Sequence, residues 1–490
     1  MSSILFTNAY FYRFDQKQWE DQRPYPPYGT IYAAALMRSK GYEVSLFDTN
    51  LVHAANEIGP HLEDQPDFLV IYDDGFNYLS KMCLTVMRDA ALEMIRLARP
   101  KVKHIIVCSS DSTDHPDHYL RAGADFVIQG EGELSLAELC DLLQNGEYQA
   151  ARVILGVAFL EDGELVKNAR RPVLRQLDDL PDPAWDLVEL EGYRQIWQAG
   201  RGFFSLNIAT TRGCPYKCNW CAKPIYGNRY NSRSPKRVAA EMAMLIQDKG
   251  AEYFWVCDDI FGLKPGWVQE FNQELKALGV QPRYKIQSRV DLLLKEDTIE
   301  ALAESGLDEV WVGAESGSQS ILDAMDKGTQ VEQIYEATRL LKQKGVRVGF
   351  FLQFGYVGET KEDIDKTIQM VRDLVPDDIG ISVSYPLPGT KFYDVVKAQL
   401  EEKQNWTDSD DLAMMYRGTF SPAYYRRLHR YVHKVFRLQQ GWENLGNLIR
   451  RPFNIKLRQL RSILAMGYYL PTMLTDRIRL QRLSLQSANS

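Results

Sequence analysis

Arg212-Gly213-Cys214-Pro215-Tyr216-Lys217-Cys218-Asn219-Trp220-Cys221 follows directly on the apolar run Leu206–Thr210. The three cysteines share one compact loop, separated by three residues and then by two, and the loop begins where a strand ends. Three thiolates so spaced can reach three corners of one four-iron cluster and leave the fourth iron open to a small molecule. Two other readings compete. A structural zinc site needs four Cys or His ligands, but no histidine lies between His118 and His429, and the remote Cys257 occupies a predicted strand. A redox pair built from Cys218 and Cys221 alone would leave Cys214 idle.

Outward from this loop the chain alternates strands and helices. Downstream, short apolar runs recur at Tyr253–Cys257, Tyr284–Gln287, Glu309–Gly313, Val346–Phe354 and Ile379–Val383, with helical segments such as Pro235–Lys249 and Val331–Lys344 between them. Counting Leu206–Thr210, this makes six βα units. A full eight-unit barrel typically takes about 250 residues, so a partial (βα)6 barrel is expected over residues 201–400. Upstream, Ile4-Leu5-Phe6, Tyr42–Phe47, Asp67–Tyr72, His104–Cys108 and Asp125–Ile128 read as buried parallel strands bounded by Gly, Pro, Asp or Ser. They predict an α/β, doubly wound, Rossmann-like domain over residues 1–150, with ligands at the carboxyl ends of its strands. Pro172, Pro181 and Pro183, interleaved with acidic residues, mark a linker within 151–200 that Leu180, Trp185 and Leu187 pin to a neighbouring domain. Beyond residue 400 the strand signal ends, and 401–490 is expected to be helical.

The composition suits a soluble globular protein: 45% hydrophobic, 25% charged and a formal net charge of -7, which argues against a general nucleic-acid binder. Seven cysteines in 490 residues are too few for a disulfide scaffold and suit a reducing, cytoplasmic compartment. No apolar run is long enough to span a bilayer, and the N-terminus has no secretory pattern.

With these residues in view, the sequence resembles a radical S-adenosylmethionine enzyme of the class with an N-terminal cobalamin-binding domain. The Cys-x3-Cys-x-aromatic-Cys motif is highly specific to that superfamily, and the resemblance runs from about Ile4 to Leu400. It implies a [4Fe-4S] cluster on Cys214, Cys218 and Cys221. The open iron of that cluster chelates S-adenosylmethionine and drives its cleavage to a 5′-deoxyadenosyl radical. It places Trp220 near the adenine and Asp258, at the end of the second barrel strand, near the amino end of the cofactor. Arg289 and Glu315 follow at the ends of the third and fourth strands. Gly355-Tyr356-Val357-Gly358-Glu359-Thr360 ends the fifth, with Val357 where the family usually has proline. The bland alternatives are a helix cap at Asp258 and a surface carboxylate at Glu315.

For the N-terminal domain the resemblance rests on Pro26-Pro27-Tyr28-Gly29, the segment Leu36–Val44, Asp48 and Gly130-Glu131-Gly132-Glu133. It implies a flavodoxin-like corrinoid pocket. No histidine follows the first strand to ligate cobalt. Cys108-Ser109-Ser110 stands where the family commonly has a glycine pair, which narrows the place of the nucleotide tail. A vestigial domain that only shapes the substrate cavity is the competing reading.

The activity implied is cobalamin-dependent methyl transfer to an unactivated carbon of a small-molecule or lipid substrate. The electrons would come from a low-potential donor such as flavodoxin or ferredoxin. A radical cyclase, oxidase or rearrangement enzyme without net methylation is the second reading, and a non-catalytic cofactor-binding protein the third. The tail is basic. From Arg426 to Arg482 it carries thirteen Lys and Arg, Arg451 and Lys456 among them, against Glu443 and Asp476 alone, and apolar residues such as Leu464 and Tyr468 lie between. It reads as a helical lid on the barrel or as a segment lying on a membrane surface.

Overall fold

Short runs rich in Val, Ile and Phe become the strands of two largely parallel sheets. In the computed structural model, which describes residues 2–76, 84–223, 225–387, 389–400, 416–450 and 457–487, the first sheet has seven strands. These are β1 (Ser3–Thr7), β2 (Glu43–Phe47), β3 (Phe68–Tyr72), β4 (His104–Cys108), β5 (Phe126–Ile128), β6 (Val157–Glu161) and β7 (Glu164–Lys167). The order is β2-β1-β3-β4-β5-β6-β7. The first five run parallel. The order reverses between β1 and β3, as in doubly wound folds that bind ligands at the carboxyl ends of their strands. Every residue of β3 is buried, as its uninterrupted apolar sequence requires.

One boundary differs from expectation. The N-terminal unit does not stop at residue 150: β6 adds antiparallel to β5, and β7 hairpins back on β6. Val157–Glu161 is too short a run to be told from linker by pattern alone, and its pairing with β5 decides its state. The rest of the 151–200 segment includes a helix, Leu190–Arg201, whose Tyr193 and Trp197 are buried. Cys83, Arg451 and Lys456, together with residues 401–415 of the expected helical region, lie outside the described residues.

The second unit begins with β8 (Ser205–Ile208). A two-stranded ribbon, β9 (Thr211–Arg212) against β10 (Asn231–Ser232), then brackets the cysteine loop. The strands β11 (Tyr253–Val256), β12 (Tyr284–Ser288), β13 (Leu307–Glu315), β14 (Arg347–Phe354) and β15 (Asp378–Val383) follow. Together with β8 they form one six-stranded parallel sheet, β15-β14-β13-β12-β11-β8, whose edges do not pair with each other. This is the partial barrel expected from six βα units. The helix Pro235–Lys249 shows the local logic: Ser234 caps its first turn, proline opens it, and Gly250 in a left-handed conformation ends it.

The joint between the units is polar and buried. Glu241 of the barrel accepts a hydrogen bond from Tyr28 of the N-terminal domain (3.1 Å) and one from Trp185 Nε1 of the linker (3.2 Å). It also pairs with Arg233 at 2.6 Å, and both charged side chains are about 97% buried. A second buried cation, Arg212, bonds Glu131 and Glu133 of the N-terminal domain, the latter at 2.7 Å.

Two long helices, Pro422–Arg450 and Leu457–Ser487, make an antiparallel hairpin. Gly441 lets them touch: a Cβ there would lie 2.4 Å from Met466 Cγ. Buried Asp476 of the second helix holds Arg427 (2.8 Å) and Lys434 (2.6 Å) of the first. The first helix leans on the barrel helix Lys361–Leu374 and on β15. After β14 the chain turns through Gly355, whose N–H donates to Glu359 Oε2 (2.6 Å). The turn closes without proline: Glu359 N–H donates to Tyr356 O (2.9 Å), and Val357 is exposed. Glu359 is fully buried with its other oxygen unpaired, and burial raises its pKa to about 8.

Two outcomes follow from these buried carboxylates. Glu241→Ala leaves Arg233 buried without its counter-charge and should cost about 3–5 kcal/mol, read from urea denaturation; Glu241→Gln should cost less. The folded protein keeps a proton on Glu359 between its ordinary pKa and about 8, whereas the unfolded chain releases it. Stability therefore falls as pH rises through that window. Glu359→Gln should remove this component, so its melting temperature should overtake that of the parent above pH 8; parallel melting curves across pH would contradict the assignment.

Candidate functional site

The cysteine loop leaves the barrel where β8 ends, and it is braced from several sides. Asp258, at the end of β11, accepts from Thr210 N (2.7 Å) and Thr211 N (3.0 Å) with one oxygen and from the Thr210 hydroxyl with the other. Burial raises its pKa to about 6. Gly213 has φ 79°, and a Cβ there would lie 2.4 Å from Arg229 O, so only glycine fits at the entry of the loop. Asn219 ties the loop to three further elements. Its N–H donates to Met325 O (3.0 Å), its side-chain amide to Ala324 O (2.6 Å), and its Oδ1 accepts from Tyr356 (2.9 Å). Lys223 closes it with bonds to Tyr216 O and to Asn228 Oδ1 (2.8 Å).

Cys214, Cys218 and Cys221 are free thiols, half-buried in this loop. Burial raises Cys214 and pushes Cys221 up to about 12, while the Lys223 ammonium pulls both the other way. Among the described residues no three His, Cys, Asp or Glu side chains converge on one ion position. Cys257 is committed elsewhere: its Sγ lies 3.0 Å from Ile208 O in the core.

Positive charge gathers beside Cys218. Arg289 Nη1 lies 4.0 Å from Cys218 Sγ, and Asp291 (2.9 Å) and the Tyr216 ring (3.7 Å to its centroid) hold the guanidinium in place. Glu315, at φ 56°, binds the Lys327 ammonium at 2.9 Å, and both are buried. Burial alone would lower Lys327, but Glu315 and Cys218 hold it above its ordinary range. A Cβ at Gly313 would lie 2.5 Å from Lys327 Nζ, which explains the glycine in Gly313-Ala314-Glu315. Trp220 packs against the small cluster of Ile321, Met325, Tyr356 and Phe392. Its indole N–H is buried without a partner.

The structure thus brings Trp220, Arg289 and Glu315 to the cysteine loop. Asp258 is placed differently from a cofactor contact, since all its bonds go to the backbone and hydroxyl that launch the loop. Lys327, Tyr216 and Asn219 escape a reading by motif. Lys327 is turned towards Cys218 by the fold alone.

Two spaces open nearby. A narrow slot at the carboxyl ends of β3, β4 and β5 is lined by Gly29, Gly75, Gly130, Ser109 and Tyr226, with Glu133 Oε2 buried and unpaired beside it. The Ser109 side chain caps the short helix Ser110–Asp114. The larger space, about 360 Å³, lies inside the partial barrel. Tyr10, Tyr12, Tyr25, Trp255, Trp311 and Phe351 form much of its wall, and His429 and His433 of the first C-terminal helix reach its rim.

Residues 208–371 match the Radical SAM superfamily. An uncharacterized methyltransferase of Pyrococcus horikoshii is 30% identical over 285 residues, 58% of this chain and 60% of that protein. An anaerobic magnesium-protoporphyrin IX monomethyl ester cyclase of Synechocystis sp. is 25% identical over 461 residues, 90% of this chain and 87% of its own. The alignment spans 60%, 45% and 51% of the length of the first three curated relatives. Among solved structures, the cobalamin-dependent S-adenosylmethionine radical enzyme OxsB superposes with a TM-score of 0.69 at 16% identity, over 100% of this chain and 80% of its own. Residues 208–371, with the cysteine loop at the head of a six-stranded barrel, thus match the Radical SAM superfamily, and the chain as a whole shares the fold of the cobalamin-dependent radical enzyme OxsB.

Proposed function

We propose that the chain is a radical S-adenosylmethionine enzyme that methylates an unactivated carbon of a small-molecule or lipid substrate with the help of a corrinoid. The observation that carries the reading is the loop of three free thiols braced where β8 leaves the six-stranded barrel. The donor set fits a [4Fe-4S] cluster in its chemistry: three free cysteine thiols share one braced loop. Bound there, the cluster would supply the electron that splits S-adenosylmethionine into methionine and a 5′-deoxyadenosyl radical.

The chain's own residues then have definite tasks. Arg289, held by Asp291, places its guanidinium beside the Cys218 sulfur, and the Lys327–Glu315 pair stands next to it, so cationic groups face an anionic cluster. Trp220 offers a ring face and an unpaired N–H beside the loop. Asp258 and Asn219 position the loop itself. The aromatic wall keeps water from a reactive intermediate.

The N-terminal slot offers a glycine wall and the unpaired Glu133 oxygen to a corrinoid, but its free space of about 10 Å³ is far smaller than a corrin ring, so Ile225 and Tyr226 would have to move aside for it to enter. Bound there, the group would supply a transferable methyl. Asn8 and Tyr10, which follow β1 where the sequence has no histidine, are tied to each other and to Thr49. A second reading, ring closure without net methylation, is favoured by the Synechocystis cyclase, the relative aligned over 90% of this chain. A flavodoxin- or ferredoxin-type protein would supply the electrons. The protein would work in the cytoplasm and touch the membrane through the helix Leu457–Ser487. That helix is not long and apolar enough to cross a bilayer, yet it exposes Leu464, Tyr468, Leu474 and Ile478 beside Arg477 and Arg479.

Anaerobic reconstitution with iron, sulfide, S-adenosylmethionine and dithionite should yield 5′-deoxyadenosine. Each of Cys214→Ala, Cys218→Ala and Cys221→Ala should abolish it, and Cys140→Ala should not. The protein should retain about one added hydroxocobalamin per chain without imidazole ligation. Comparing metabolites with and without the protein separates the readings: a product heavier by one methyl supports methylation, and an unchanged carbon count supports ring closure. Absence of 5′-deoxyadenosine would end both.

The tail is tested by flotation with anionic vesicles. Each basic residue near anionic lipid contributes about 1 kcal/mol, screened by salt. Binding should be strong at low salt, weaker at high salt and lost in Leu464→Glu/Tyr468→Glu. No flotation at low salt would leave the hairpin as a structural lid.

A further inference from the structure

Lys285 points into the barrel cavity and has no counter-ion there. On β12, Lys285, Gln287 and Arg289 alternate onto one face, and Arg289 is the residue beside Cys218. At about 3.3 Å per residue, Lys285 stands roughly 13 Å below Arg289 along the strand. Register sets it between Trp255 of β11 and Glu309 of β13. Its ammonium lies 5.1 Å from the Trp255 ring centroid and 5.5 Å from that of Tyr25.

The anions nearest to it are engaged elsewhere. Glu309 pairs with Arg347 (2.5 Å) and accepts from Trp311 Nε1 (2.6 Å). Asp21 pairs with Arg23 (3.0 Å) and with Arg201. Among the described residues no carboxylate reaches ion-pair distance of Lys285. Burial lowers its pKa to about 8, with Arg23 and Arg347 adding to the fall and Glu309 and Asp21 opposing it, so the amine is still charged at neutral pH. Contacts with two ring faces offset only part of the cost of burying an ammonium. The rest of the wall supplies rings and further positive charge. Trp311 and Phe351 lie 4.8 Å apart, and Lys17 and Arg23 line the same space against Asp21 alone among carboxylates.

We propose that the barrel cavity binds a substrate with an aromatic or otherwise unsaturated ring body and an acidic group, the acid on the Lys285 ammonium and the ring against Trp255, Trp311 and Phe351. This rests on the radical S-adenosylmethionine reading above and gives it a substrate class. A cavity of about 360 Å³ suits a ligand of drug-like size. With its acid held low in the barrel, such a molecule would present its far end to the cluster loop.

The test uses two probes that differ only in charge, 2-naphthoate and 2-naphthamide, titrated calorimetrically into the reconstituted protein at neutral pH. The carboxylate should bind one site per chain about tenfold or more tighter than the amide, as a charge-assisted contact should. Lys285→Met should bring the ratio near one, Lys285→Arg should keep it, and Trp311→Ala should weaken both probes alike. Should Lys285→Met not fold, Lys285→Gln carries the same expectation. Equal affinity for the two probes, binding of neither, or a preference that survives loss of the Lys285 charge would overturn the proposal. Probe binding needs neither cluster nor S-adenosylmethionine. A failure here leaves the radical reading standing, and a missing 5′-deoxyadenosine signal leaves the acid pocket standing.

Discussion

Three separate parts of the chain depend on one buried carboxylate. Glu241 takes a hydrogen bond from Tyr28, one from Trp185 and the charge of Arg233, all out of water. Each of these groups would be costly to bury alone, so the N-terminal domain, the linker and the barrel are held in a single arrangement. That arrangement creates the site. The residues after β1 and Tyr25 come to line the open side of the barrel, and an incomplete six-stranded sheet acquires a walled interior.

The cysteine loop shows a different use of polar bonds. Backbone and side-chain bonds from Asp258, Asn219 and Lys223 hold the loop and its three sulfurs in place. Charge is added from two strand ends, through Arg289 and through the Glu315–Lys327 pair. The left-handed backbone at Glu315 is unusual for a non-glycine residue, and the buried ion pair with Lys327 holds it.

The C-terminal hairpin joins the barrel by one helix and leaves much of the other in solvent. Asp476 absorbs two cations of the first helix, so part of the basic excess is structural. Arg477 and Arg479 of the second helix, with Leu464 and Tyr468, are exposed. His429 and His433, 4.5 Å apart, bring the same hairpin to the rim of the cavity.

Much of this was legible in the order of residues. The six barrel strands, the first five strands of the other sheet and the three-cysteine loop are local patterns. A buried parallel strand announces itself by an apolar run, and a cluster loop by spacing. The hairpin β6–β7 was not legible, because a short half-exposed strand is defined by the edge it pairs with. Nor were the roles of Asp258, Lys327 and Lys285. A carboxylate or ammonium has the same sequence signature whether it braces a backbone, supports a cluster or waits for an anion. Its role depends on which distant groups share its low-dielectric surroundings. The sequence by itself determined most of the elements and the three-cysteine loop, because both are local patterns. Only tertiary packing decided which charges were buried and with which partners, and that among the described residues no carboxylate reached ion-pair distance of the barrel amine of Lys285.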